Sequence, residues 1–291
     1  MKRKILLKCP LFQLWVYSLV LISLAGCEMT DASTEVIEEA APMPSIQEVS
    51  KFAWENLTTK KIYFGHQSVG NNIMDGVAKV TTQDHLPSIR IVESDDPSVL
   101  NRAVWAHSQI GKNGDPFSKI EAFKENLRKG IGDKADMAFF KFCFWDIRSF
   151  TDIEKVFKAY KETMVELKRE YPNVTFVHFT VPLMSHSDSL SANIRRTFGL
   201  KVGFDEDNIK RNELSQLILK EYAGKEPVVD IALYESTLPD MTRTFFTRGT
   251  EHYYYLASAY TNDGGHLNEE ARKRAAEQML ITLARAAEGR P

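Results

Sequence analysis

The chain has 291 residues, 43% of them hydrophobic, and 37 Lys and Arg stand against 39 Asp and Glu. So even a charge balance offers no basic face for nucleic acid. Only three cysteines are present, which excludes a small fold held together by disulfides.

Lys2, Arg3, Lys4 and Lys8 lead into the apolar run "LFQLWVYSLVLIS", and "LAGC" closes it with Ala25 and Gly26 before Cys27. The pattern resembles a bacterial lipoprotein signal over residues 1–26, with Cys27 lipidated as the first residue of the mature chain. The run is shorter than the ~20 residues a spanning helix needs. The expected location is the bacterial cell envelope, outside the cytoplasm, with membrane attachment only through the N-terminal lipid. Without residues 1–26 the balance falls to 33 Lys and Arg against 39 Asp and Glu, or −6. That gives no polybasic reason to lie on an anionic membrane. After Cys27, "EMTDASTEVIEEAAPMPSIQ" (28–47) is acidic, small and proline-bearing, and reads as a flexible linker before a folded domain at 48–291.

Five apolar runs are expected as strands: "KIYF" (61–64), "SIRIVE" (88–93), "DMAFFKF" (136–142), "VTFVHFTV" (174–181) and "VVDIALY" (228–234). Helical periodicity is expected at 71–80, about 117–129, about 151–170, about 207–222 and about 269–287. Alternation of this kind predicts an α/β fold: three layers around a five-stranded, mainly parallel sheet. Two connections, 183–206 and 235–265, are long enough to be functional. Both leave the carboxyl ends of strands, where open α/β sheets bind ligands.

"FGHQSVGNN" (64–72) leaves the same rim. Ser68 there is either an ordinary helix cap or a nucleophile with helix N–H groups beside it for an oxyanion. Near the other end, "YTNDGGHLNEEARK" places Asp263 and His266 three residues apart with two glycines between. The glycines let the chain curl, so Asp263 can reach Nδ1–H of His266 and leave Nε2 free as a base. In a parallel sheet the two loops share one rim, where Ser68 and His266 can meet.

Serine early, Asp-x-x-His late and the α/β order between them resemble the SGNH, or GDSL-like, hydrolase superfamily, whose fold is flavodoxin-like. The resemblance runs over about residues 60–287, and "DGGHLN" is its more specific block. "GHQS" departs from the usual Gly-Asp-Ser by placing Gln67 before the serine. The resemblance implies Ser68 as nucleophile, His266 as base and Asp263 as its orienter; no cofactor and no metal are expected. It also implies an oxyanion hole built from Ser68 N–H, a glycine and an asparagine. In "IGKNGDPF" the glycine is Gly111 or Gly114, with Gly114 favoured. No asparagine follows the third expected strand, where "KFCFWDI" stands instead. Asn113, Asn72 or Lys141 is left to supply that donor, and Trp145 has an indole N–H.

His66, His107 and Trp145 are further candidates for substrate contact near the rim, and Asp146 reads as structural. Tyr254, one of four tyrosines in "EHYYYLASAY", belongs to an aromatic wall for sugar rings or to the packing of a long loop. Cys143 reads as a buried hydrophobe. The remaining histidines lack metal-ligand spacing. The expected activity is hydrolysis of small acyl esters, acetyl-type and on carbohydrate, with an envelope O-acyltransferase or an inactive glycan-binding lipoprotein as alternatives.

Overall fold

Strand β1 (Lys61–His66) buries Ile62, Tyr63 and Phe64 completely, and it is the hinge of the sheet's topology. It pairs in parallel with β3 (Val104–Gln109) on one side and with β4 (Met137–Phe140) on the other. Adding β2 (Ile91–Glu93), β5 (Thr175–Phe179) and β6 (Val228–Val229) completes a six-stranded parallel sheet of order β2-β3-β1-β4-β5-β6. From β1 the chain crosses to the edge at β2, returns to place β3 between them, and then builds outward on the other side of β1 through β4, β5 and β6. The carboxyl end of β1 is therefore the topological switch point, where such sheets open a crevice. The computed structural model describes residues 38–83, 88–187 and 189–290. The expected signal segment and Cys27 lie outside them.

Six strands replace the five expected. The missed one, β3, alternates Val104, Ala106 and Ser108 with Trp105, His107 and Gln109, so its polar end hides an otherwise buried strand. β6 is much shorter than the run 228–234. Asp230 stops it by accepting the N–H of Leu233, which caps helix α7 (Ile231–Ser236). The two long connections also carry structure: helix α5 (Leu190–Thr197) in the first, and an antiparallel hairpin of β7 (Phe245–Arg248) and β8 (Glu251–Tyr254) in the second.

Alternation along the strands divides the core. Ile62, Phe64, Met137 and Phe139 face α1 (Lys51–Thr58), α2 (Val69–Gln83) and α8 (Glu269–Ala287). Tyr63, Ala138 and Phe140 face α3 (Pro116–Asn126), α4 (Ile153–Glu170) and α6 (Gly203–Tyr222). The segment expected as linker through residue 47 lies against this unit from Glu38 onward. Tyr254 Oη donates to the Glu38 carboxylate, His252 Nδ1 lies 3.0 Å from it, and Ile46 is buried. With Arg243 Nη1 also 3.8 Å away, Glu38 has three polar neighbours, and these and the apolar anchor give those residues a reason to stay.

Candidate active site

β1 ends at His66 and α2 begins at Val69, so only Gln67 and Ser68 turn the chain. Ser68 makes the turn at φ 51°, in the left-handed region that residues with a Cβ seldom adopt. Holding it there costs on the order of 1–3 kcal/mol, which the surroundings must supply. Gln67 is one restraint: its Nε2 donates to the carbonyls of Ile110 (3.0 Å) and Gly111 (2.6 Å), tying the turn to the loop after β3. Gly70 is another, because a Cβ there would stand 2.4 Å from the His66 side chain.

Ser68 Oγ lies 2.6 Å from His266 Nε2, bridging 198 residues of sequence. On the far side of the ring, Nδ1 is 2.6 Å from Asp263 Oδ2. The tautomer that satisfies both contacts carries its proton on Nδ1 and turns a lone pair on Nε2 toward the hydroxyl. Asp263 Oδ1 accepts the N–H of His266 at 2.8 Å and of Gly265 at 3.0 Å. Those bonds, the His266 N–H first, hold the carboxyl well below its usual range. The triad stands partly in water: the His266 and Asp263 side chains are 45% and 56% exposed.

The glycines between them do what the sequence suggests and more. Gly264 has φ 86° and its carbonyl accepts the Ser185 N–H at 2.8 Å. A Cβ on Gly265 would press within 2.9 Å of the Phe144 ring. That ring meets the His266 imidazole edge-on, with centroids 5.6 Å apart. Asn72 Oδ1 accepts the next N–H, that of Leu267, at 3.2 Å. Asn72 thus fixes the histidine's backbone, with its carbonyl end already in use.

Behind these loops lies a buried ionic layer. Asp146, fully enclosed, pairs with the equally buried Lys119 at 2.7 Å and accepts the N–H of Cys143 at 2.6 Å. It also accepts the N–H of Gly114 at 2.9 Å, which corrects the assignment of Gly114 as an oxyanion donor. That N–H is committed to a carboxylate. Asn113 Oδ1 accepts from Lys119 Nζ at 3.0 Å, leaving the Nδ2 end available to donate. The Ser68 N–H has no acceptor among the described residues. Lys141 is buried and donates to the Phe142 carbonyl at 3.2 Å, and burial pushes its amine down to about 8. Burial likewise pushes Glu235, which faces the same interior, up to about 8. Arg211 donates Nε to the Phe144 carbonyl at 2.9 Å, so a buried guanidinium supports the ring beside His266.

The other candidates separate. Trp145 is exposed, leans on Phe144 (5.8 Å between centroids), and carries the Arg148 guanidinium 4.5 Å above its ring. It stands one aromatic ring from the triad. His66 is completely buried, 3.0 Å from His107 Nδ1 through Nε2, so it is not a substrate contact. It sits under α2 because it is the inward-facing last residue of β1. His107, half-buried on β3, spends Nδ1 on His66. Tyr254 belongs to packing. Asn212 holds both its backbone N–H (3.1 Å) and its carbonyl (2.9 Å), and Arg243 lies over its ring. It lines a cleft of about 1200 Å³ between α6 and β8 that contains no triad residue. Among the described residues no three His, Cys, Asp or Glu side chains gather as metal ligands. Gln67 and Lys119 are supporting residues whose roles sequence reasoning missed, and only Gln67, directly before the serine, carried a local signal.

Among solved structures the chain is similar to a protein assigned as a platelet activating factor from Streptococcus pneumonia, at 12% identity and TM-score 0.44, over 82% of this chain and 94% of that one. It is also similar to a protein assigned as a GDSL-like lipase from Parabacteroides merdae, at 12% identity and TM-score 0.43, over 79% and 97%. A third is an acetyl xylan esterase, AlAXEase, at 15% identity and TM-score 0.41, over 75% and 96%. No protein-family profile and no curated protein matches the chain.

Proposed function

We propose that the protein is a serine esterase, a divergent hydrolase of the SGNH type. The observation that carries this reading is the continuous chain Ser68 Oγ to His266 Nε2 to Asp263, at 2.6 Å for each contact. Ser68 Oγ attacks the ester carbonyl carbon as His266 Nε2 takes its proton. The tetrahedral oxyanion forms beside the Ser68 N–H and Asn113 Nδ2. As the C–O bond breaks, His266 returns the proton to the departing alcohol, leaving an acyl-enzyme. Water, deprotonated by the same nitrogen, attacks the acyl carbon and restores Ser68. Asp263 stays ionised throughout and stabilises the imidazolium.

The substrate we propose is a small acyl ester, acetyl-type, on carbohydrate. A half-exposed triad suits a short acyl group on a bulky alcohol that remains in solvent. Exposed Trp145, beside Phe144, offers a flat apolar face of the kind sugar rings stack on. Reading Cys27 as a lipid site places such a substrate in the cell envelope. The test is hydrolysis by the full chain of 4-nitrophenyl acetate, butyrate and octanoate, and of acetylated oligosaccharides. The expected order is acetate first, with free acetate released from the sugars. A folded protein that cleaves none of them would overturn the reading.

The committed Gly114 N–H favours a second reading, a glycan-binding protein of this fold that does not turn over. It predicts retention of an acetylated oligosaccharide with its ester content unchanged.

A further inference from the structure

Five large apolar side chains stand in solvent within one short stretch: Leu190, Ile194, Phe198, Leu200 and Phe204. Leu190 and Ile194 are one turn apart on α5, and Phe198 closes that helix a turn later, so the three share a face. Leu190 is 77% and Phe198 74% exposed. A single exposed leucine needs no explanation, but a continuous stripe marks an interaction surface.

The stripe has a neighbour. The loop after β4 adds Trp145 and Phe150, both exposed, with the Arg148 guanidinium 4.5 Å from one ring and 5.9 Å from the other. Arg148 and Phe204 line one hollow of about 340 Å³ together with Ala192, Arg195 and Lys201, so α5 and the loop form one surface. This surface adjoins the triad, because Ser185, a few residues before α5, donates its N–H to Gly264 at 2.8 Å.

Charge gives the surface a direction. Arg196 is held by Asp205 at 2.9 Å, and Glu206 by Arg248 at 2.7 Å. Arg195 donates Nε to the Lys201 carbonyl at 2.8 Å, and neither Arg195 nor Lys201 has a carboxylate partner among the described residues. An apolar stripe edged by unmatched cations is the pattern of a helix that lies in a membrane interface. A second copy of the chain fits less well, since a two-fold contact of this patch with itself must supply carboxylates for Arg195 and Lys201, and Asp205 and Glu206 are already paired with Arg196 and Arg248.

We propose that this face docks on an anionic phospholipid bilayer, with Leu190, Ile194 and Phe198 entering the boundary between headgroups and acyl chains and Arg195 and Lys201 meeting lipid phosphates. The contact is independent of the esterase reading and of any N-terminal lipid. It would set the triad beside the membrane surface, within reach of esters carried there.

The test is amide hydrogen exchange of the full chain incorporated into phosphatidylglycerol–phosphatidylcholine vesicles, compared with phosphatidylcholine alone. Exchange over residues 189–204 is expected to slow at least about fivefold in the anionic vesicles, against about 30-fold for two fully engaged cations. The outer face of α4 should not change. Arg195→Glu with Lys201→Glu should abolish the difference at an unchanged melting temperature. Equal exchange in the two vesicles would overturn the proposal. So would slowing that follows protein concentration without lipid, which would identify a second copy as the occupant.

Discussion

Two sets of charged groups meet at the carboxyl ends of these strands, under opposite physical conditions. His266 and Asp263 are about half in water, whereas Lys119, Asp146 and Arg211 are sealed from it. An exposed pair contributes little to stability, because solvent screens it and side-chain entropy opposes it. It can change charge during a reaction at low cost. A buried pair is costly to break, since removing one partner strands the other in a poor solvent. The proposed chemistry therefore sits on the exposed set, and the placement of the loops depends on the buried one. Asp146 shows the division most clearly, drawing Gly114, Lys119 and Cys143 from separate segments to one carboxylate.

The comparison breaks if the exposed set proves structural. Ser68→Ala is expected to lower kcat toward short acyl esters by about 10⁴–10⁶ with little change in melting temperature. Asp263→Asn should cost about 10³–10⁴, again without loss of fold, because the ring loses its preferred tautomer. Steady-state rates and thermal melts on the same samples check both. Asp146→Ala should behave in reverse. It leaves Lys119 unpaired and two N–H groups without acceptors, and about 3–5 kcal/mol of stability should disappear in urea titration.

A pH experiment sharpens the contrast from the buried side. Burial pushes His66 from its ordinary value near 6.5 down to about 3. Between those values the unfolded chain holds the proton and the folded chain refuses it. The stabilisation is therefore complete above pH 6.5 and is lost as pH falls from 6.5 through 3, bounded by roughly 5 kcal/mol. Urea titrations at pH 7.5, 5.5 and 4.5 should show this loss, with a shallower slope in His66→Phe. The smallest effect belongs to Tyr254→Phe. It should leave kcat and KM within about twofold, as expected of a surface change remote from the chemistry.

What was legible in the sequence follows the same division. Ser68 and the Asp263–His266 turn announce themselves locally, through a small-residue break after an apolar run and through two glycines at a fixed spacing. The parallel sheet was legible from apolar runs alternating with helical periods. β3 was not, because His107, Ser108 and Gln109 interrupt its run while its neighbours β1 and β2 keep it in place. The fate of the Gly114 N–H was also illegible, since the carboxylate that takes it lies 32 residues away. Net charge carries no position either: within a negative total, Arg195 and Lys201 stand together at and just beyond the end of α5.

The most direct measurement is labelling of the full chain with a fluorophosphonate, wild type beside Ser68→Ala, read by intact-protein and peptide mass spectrometry. The geometry predicts one covalent phosphonyl adduct, located on Ser68 and missing from the variant. A folded wild-type protein that takes no adduct, or takes the same adduct with Ser68 removed, would contradict an activated serine at the end of β1.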